Sequence, residues 1–173
     1  DATKGFLSPY LGMNQQVSVC PLFRAMVEGP ASFEDGTGGY GYNSSYIGGV
    51  PGGKVDATTK IYDSQRPANV PNPGRTVMFT TTAYALPSGI QEYAFCEPPF
   101  WDFGSGASGG RPSPSVHFRA NGKALVVWCD GSVTAESRNN SCGDTNPHGG
   151  DSEKWNLGWF GPEENNGWWN PRN

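Results

Sequence analysis

Apolar positions along the chain alternate with polar ones or fall in short runs between Gly and Pro. Nowhere do they recur at the three-and-four spacing of an amphipathic helix. Residues 75–85 are rich in β-branched and aromatic types, follow Pro73-Gly74 and end before Pro87, which predicts a strand. Residues 91–96 predict a second, weaker one. The clearest pattern is 115–138. Extended stretches at 115–120, 123–129 and 132–138 are joined by Asn121-Gly122 and Asp130-Gly131. Asn-Gly and Asp-Gly favour two-residue hairpin turns, because both central residues need positive φ. A three-stranded antiparallel meander follows. Its central strand, apolar from Ala124 to Cys129, is expected to be buried. The outer strand, with Val133 and Ala135 against Thr134 and Glu136, is expected to have one wet face.

Elsewhere the pattern predicts little regular structure. Phe6, Leu7, Tyr10, Leu11, Val17 and Val19 suit one short helical turn and an extended run into Cys20-Pro21. Residues 29–54 read as a Gly-rich loop anchored by Tyr40, Tyr42 and Tyr46, with a short strand. Residues 104–114 read as a further loop. From Ser141 onward the chain is polar, yet it carries Trp155, Trp159, Phe160, Trp168 and Trp169, a density expected of a tail packed onto the sheet.

Composition narrows the choice. The 173 residues include 25 Gly and 15 Pro, close to the range of disordered chains, but 13% are aromatic, and disordered chains lack aromatics. The length suits a single domain spanning 1–173. A net charge of −4 gives no electrostatic reason to expect nucleic acid. No apolar run approaches the roughly 18 residues of a membrane helix, and no secretory leader is legible. Cys20, Cys96, Cys129 and Cys142 are even in number and form no C-x-x-C pair, which favours disulfides and an oxidising compartment over zinc. Of the three connectivities, Cys129–Cys142 with Cys20–Cys96 is preferred, since the first pair closes a short local loop.

Several motifs carry chemistry only in the right context. Gly36 to Gly41 matches G-x-G-x-x-G but has no strand before it and no helix after it. Gly48 to Lys54 resembles a phosphate loop, with Val55 where Ser or Thr would hold magnesium. Gly106 to Gly110 matches G-x-S-x-G among Gly, Ser and Pro, without the strand and helix of a nucleophile elbow. His117 and His148, the two histidines, are expected in structural hydrogen bonds. Asp144, Asn146 and Asp151 are candidate ligands of an irregular calcium site, against the plainer reading of a solvated polar loop; Trp155 stands where an EF-hand needs its bidentate Glu. Glu92, Glu97, Asp102, Asp130 and Glu136 offer carboxylates for a glycosidase pair. Asn43-Ser44-Ser45 and Asn139-Asn140-Ser141 fit the N-glycosylation pattern.

Five stretches, taken in order, resemble one family. Phe6-Leu7-Ser8-Pro9-Tyr10-Leu11-Gly12 running to Val19-Cys20-Pro21, Gly39-Tyr40-Gly41-Tyr42-Asn43, Asn72-Pro73-Gly74-Arg75-Thr76-Val77-Met78-Phe79, His117 with Ala124 to Val133, and Leu157-Gly158-Trp159-Phe160-Gly161 are similar to the globular heads of bacterial prepilin-type proteins. These are relatives of type II secretion pseudopilins and type IV pilins, in the subgroup with a His-x9-Asp-Gly signature. Twelve residues rather than nine separate His117 from Asp130, so the Asp-Gly turn carries over, while the spacing of His117 departs from the family's pattern and its role is left open.

The resemblance implies an α+β, mainly antiparallel β head with the meander, long loops and little helix. It implies a non-catalytic subunit of a filament on the cell surface or in the periplasm, partnered by other pilin subunits. Family members begin with a hydrophobic helix, which this sequence does not carry; truncation, cleavage or a separate hydrophobic helical chain would account for that. The competing expectation is a secreted carbohydrate-binding module or small glycoside hydrolase, with Trp101, Trp168 and Trp169 as sugar-stacking candidates.

Overall fold

In the computed structural model the described residues are 19–27, 34–48, 67–101, 110–139 and 146–173. They are mainly antiparallel β with little helix. One turn of α-helix, α1 (Pro21–Arg24), starts on a proline whose missing N–H costs nothing at that position. The strands are β1 (Tyr40–Tyr42), β2 (Val77–Thr81), β3 (Tyr84–Leu86), β4 (Gly89–Gln91), β5 (Val116–His117), β6 (Lys123–Trp128), β7 (Val133–Ser137) and β8 (Leu157–Gly158). A four-stranded antiparallel sheet has the order β1-β2-β6-β7. Two small pairs, β3-β4 and β5-β8, stand beside it.

The meander is corrected in its first hairpin. Asn121 and Gly122 do take positive φ, 53° and 75°, and Ala120 bridges Lys123. The pairing goes no further. Phe118 N–H donates to the Asn156 carbonyl at 3.0 Å, and Val116 and His117 pair with Gly158 and Leu157. The place beside β6 is taken by β2, although the two are far apart in sequence, because Val77 and Thr80 there supply the β-branched partners for Trp128 and Val126.

The second hairpin forms, but not around a two-residue turn. Gly131 N–H donates to the Trp128 carbonyl and Trp128 N–H to the Ser132 carbonyl, both at 2.9 Å. Gly131 has φ 86°. This is a three-residue loop in which a β-turn is followed by a glycine bulge. Asp130 Oδ1 fixes it by accepting from the Ser132 N–H at 2.8 Å and the Ser132 hydroxyl at 2.6 Å.

Burial divides the large sheet into two faces. Ala124, Val126 and Trp128 of β6 face a core with Val77, Val116, Phe118, Trp159, Phe160 and Trp169. The tail therefore packs onto the inner face of the sheet, and Trp159 and Trp169 are wholly buried. Their indole N–H groups donate to the consecutive carbonyls of Glu97 and Cys96, each at 3.0 Å. The buried amide of Asn43 donates to the carbonyls of Val77 and Trp169, both at 2.9 Å, tying β1, β2 and the tail together.

The outer face departs from expectation. β6 is not buried throughout: Lys123 and Leu125 are exposed and Val127 is half-buried. Nor has β7 one dry face, since Val133 is 60% exposed and Ala135 is exposed too. Thr134 accepts from the Trp128 indole N–H at 2.8 Å and still stays exposed.

The preferred Cys20–Cys96 bridge is not made. Both are free, buried thiols in separate clusters. Cys20 lies against Arg119, whose Nε is 3.4 Å from its Sγ, while Cys96 sits in the main core under Trp169. Cys129 is free as well, and its expected partner Cys142 lies outside the described residues.

Candidate functional site

Two surfaces of this fold have the character of functional sites. The first is a cavity of about 380 Å³, and the second is the outer face of the large sheet.

The cavity forms where β3, the chain after β4, the 111–113 segment and the tail meet. Tyr84 projects from β3. Tyr93 follows β4, where Thr82 donates its hydroxyl to the Tyr93 carbonyl at 2.7 Å and so holds the strand-like run in place. The two phenol rings lie 5.0 Å apart. The tail adds His148, edge-on to Tyr84 at 5.2 Å. Its loop is pinned by Asn146, whose amide donates to the Ala85 carbonyl at 2.8 Å and whose Oδ1 accepts from the His148 N–H at 2.9 Å. Trp101 completes the aromatic lining. Phe100, just before it, is clamped by Asn166, which accepts from the Phe100 N–H and donates to its carbonyl.

Two charged side chains reach the same cavity. Glu97 is buried, and burial pushes its carboxyl above the ordinary range. The hydrogen bond from the Tyr93 hydroxyl, at 2.8 Å, works against that rise, and the charge of Glu34 adds to it. Arg111 is held by Glu163 at 2.5 Å, and its guanidinium lies 4.5 Å from the Phe100 ring and 5.3 Å from the Trp159 ring. Its Nη1 is buried with no hydrogen-bond partner among the described residues. A buried carboxyl of raised pKa in a cleft is a recognised mark of a functional site.

The outer face is a cross-strand array. The register lines up Tyr42, Phe79, Val127 and Val133 in one row across all four strands of the sheet. Tyr42 and Phe79 have ring centroids 5.0 Å apart. Leu125 and Ala135, paired on β6 and β7, extend the patch, and Tyr40 stands at the β1 edge. Phe79 is 37% and Leu125 40% exposed. Large contiguous apolar patches are the character of interaction surfaces, and this row is the candidate for one here.

Of the residues singled out from sequence, few meet here. Of the four candidate carboxylates among the described residues, Glu97 alone lines the cavity. Glu92 accepts from the Thr37 N–H at 2.5 Å and the Gly38 N–H at 3.1 Å. It thereby fills the Gly-rich loop that matched G-x-G-x-x-G, and that loop leads into β1 rather than a helix. Asp130 fixes its turn, Glu136 accepts from Thr134 on the open edge strand at 2.7 Å, and Asp102 lies outside the described residues. The Trp candidates separate: Trp169 is in the core, Trp168 packs against Phe160 and Trp128, and only Trp101 lines the cavity.

Of the calcium set, Asp144 lies outside the described residues. Asp151 Oδ1 accepts from the Lys154 N–H at 2.8 Å, and Asn146 pins the tail as above. Among the described residues no group of three acidic, His or Cys side chains is placed to hold a metal. The phosphate-loop and G-x-S-x-G stretches fall largely outside the described residues. Asn43 is fully buried, which removes it as a glycan acceptor in the folded chain.

His117 is structural. It is buried and neutral, its pKa driven down to about 3 by burial and by the Arg119 charge. Arg119 is the functional-looking residue that sequence reasoning missed. Its guanidinium binds the carbonyls of Gly39 and Thr82, the His117 ring and Cys20 Sγ, and lies 4.9 Å from the Phe23 ring. No sequence signal announces it, because its partners are mostly backbone oxygens from distant segments. Arg111 was missed as well, because its ion-pair partner Glu163 lies 52 residues away and no spacing links the two.

Compared with known proteins, the chain matches no family model, and neither the curated proteins nor the solved structures give a match.

Proposed function

We propose that this chain is the globular head of a pilin-like filament subunit, acting by assembly outside the cytoplasm rather than by catalysis. The observation that carries the reading is the apolar row Tyr42–Phe79–Val127–Val133 with Leu125 beside it, open on one face of a sheet whose other face is closed by the tail. A monomer that worked alone would gain by covering or charging such a face. A filament subunit needs an apolar face on which a hydrophobic helix can lie, whether that helix is joined to the head or supplied by a separate chain.

The stretches that carry the resemblance give further support, since four of them build this one sheet and its backing. Tyr40-Gly41-Tyr42-Asn43 is β1 and its buried anchor. Pro73-Gly74-Arg75 is the helical turn that leads into β2. Asp130-Gly131 turns β6 into β7, and Leu157 to Phe160 lies buried behind the sheet. Among the described residues no helix is long and apolar enough to cross a membrane, so in this reading the core-forming helix is not among them.

The test is electron microscopy of native cell-surface material, with mass spectrometry of copurifying chains. Filaments containing this head with a hydrophobic helix, on the same chain or on a short partner, are the expected result. Finding the protein only as a free soluble species, with no filament, would overturn the reading.

A further inference from the structure

We propose that the cavity between β3 and the tail is a binding site for a neutral saccharide. It shares no residue with the open sheet face, so the proposal stands independently of the filament reading. Three features of the lining converge on this ligand class.

The first is size and surface. About 380 Å³ falls at the lower end of the roughly 300–1,000 Å³ typical of small-ligand pockets. Its walls are aromatic: the half-buried Tyr93 and Trp101 offer rings on which the C–H faces of a pyranose can stack, and the buried Tyr84 backs Tyr93.

The second is an unmet donor. Arg111 Nη1 is buried with no acceptor among the described residues. Leaving such a donor unpaired costs on the order of 1–3 kcal/mol, more when it is charged. The ion pair with Glu163 and the flanking Phe100 and Trp159 rings hold the guanidinium at the cavity wall, where a small shift brings Nη1 within reach of the cavity. An acceptor brought by a ligand would relieve it.

The third is charge. The Arg111 cation is already balanced by Glu163, and Glu97 lines the same space. An anionic ligand would meet no net positive charge and would lie near two carboxyls. A cationic ligand would meet the unpaired guanidinium N–H. A hydroxylated neutral ring satisfies both sides at once. Its oxygens accept from Arg111, while its hydroxyl hydrogens donate to Glu97, which also takes the Tyr93 hydroxyl, and to the Ser113 hydroxyl, which holds Tyr84 at 2.9 Å.

The test is an NMR titration of the chain with glucose, galactose, N-acetylglucosamine and their short β-linked oligomers, with glucuronate as the acidic comparison. At least one neutral sugar is expected to bind saturably within about 10 mM, a weak but specific affinity, shifting the Trp101 indole and the Arg111 guanidinium signals. Arg111→Met and, independently, Trp101→Ala should each weaken that binding by about tenfold or more. The second variant serves if loss of the Glu163 pair impairs folding of the first. Absence of binding by every neutral sugar, tighter binding of glucuronate, or neutral-sugar binding unchanged in a folded variant would each overturn the assignment.

Discussion

The Nη1 of Arg119 donates to the Nδ1 of His117 at 2.9 Å, two residues away along the same chain and in the floor of the sheet junction. This bond requires the neutral ring with its proton on Nε2, an atom buried without a partner among the described residues. Protonation would place a second cation against Arg119, in a site sealed by Phe23 at 6.5 Å. Burial and that charge together hold the His117 pKa down to about 3. The unfolded chain takes up this proton near the ordinary histidine value of about 6.5 and the folded chain does not. Between those two values the unfolded state binds more protons, so stability falls as pH falls. The loss from this one group reaches roughly 2 kcal/mol by pH 5. His117→Asn keeps an acceptor for Arg119 but cannot titrate. Denaturation at a series of pH values between 7 and 4 should give a slope about one proton shallower for this variant. Equal slopes would show that His117 is not the group responsible.

Glu97 titrates with the opposite sign. Its folded-state pKa is raised, chiefly by burial, so its contribution to stability is greatest below the unfolded value and declines as pH rises through the folded one. At neutral pH the carboxylate therefore works against the fold. Glu97→Gln removes the ionisation and keeps an oxygen for the Tyr93 hydroxyl. Its melting temperature should exceed the unsubstituted chain's at pH 8, with the advantage shrinking toward pH 4. A variant less stable at both pH values would contradict this account of the cavity.

The sequence made β2, the β6–β7 hairpin and the packed tail legible because each rests on local signals: β-branched density, a Gly at a positive-φ position, and Trp in a polar tail. It did not reveal that β5 would leave β6 for β8. That choice depends on Asn156, whose carbonyl accepts from the Phe118 N–H and whose amide donates to the Phe118 carbonyl at 2.8 Å, and Asn156 lies 38 residues away. The cavity was half legible. Trp101 and Glu97 stood among the candidates, whereas Arg111, Tyr84 and Tyr93 did not, because their meeting is fixed by long-range pairings that no spacing encodes. The apolar run of β6 was read as burial on both faces; only the sheet order reveals that its outer side is bare.

Gly41 has a specific steric role in that sheet. A Cβ added there would lie 2.4 Å from Thr82 Cγ2 and 2.7 Å from the backbone carbon of Phe95, which runs parallel to Tyr42 at a bridge. Thr82 cannot yield freely, since its hydroxyl donates to the Tyr93 carbonyl. Gly41→Ala should therefore destabilise the fold by about 1–3 kcal/mol, the usual result of overpacking. Gly122→Ala is the contrasting control: its added Cβ meets nothing within 4 Å, and only its φ of 75° opposes the change. Urea denaturation of the two variants separates crowding from backbone strain. A Gly41→Ala midpoint equal to wild type would mean that β1 is not seated against Phe95.

The open face of the sheet makes its own prediction, because exposure and apolarity pull apart the requirements of folding and assembly. Leu125 and Val133 lie on the outer side of β6 and β7, 40% and 60% exposed, and neither belongs to the core behind the sheet. Replacing each by Lys leaves the core contacts in place; it puts one charge on the edge strand β7, where lysine is well tolerated, and one on the exposed face of the inner strand β6. The stability of the isolated head should thus change by no more than about 0.5 kcal/mol, as for ordinary surface positions. Assembly should respond differently. A helix packed on this face would have to bury two ammonium groups without partners, which is strongly unfavourable. The Leu125→Lys and Val133→Lys double variant is therefore expected to melt like the unsubstituted protein and yet fail to enter filaments when expressed in the native host. Filaments formed at the normal level by the double variant would show that the face is not the assembly surface, and would move the search for it to the other exposed surfaces of the head.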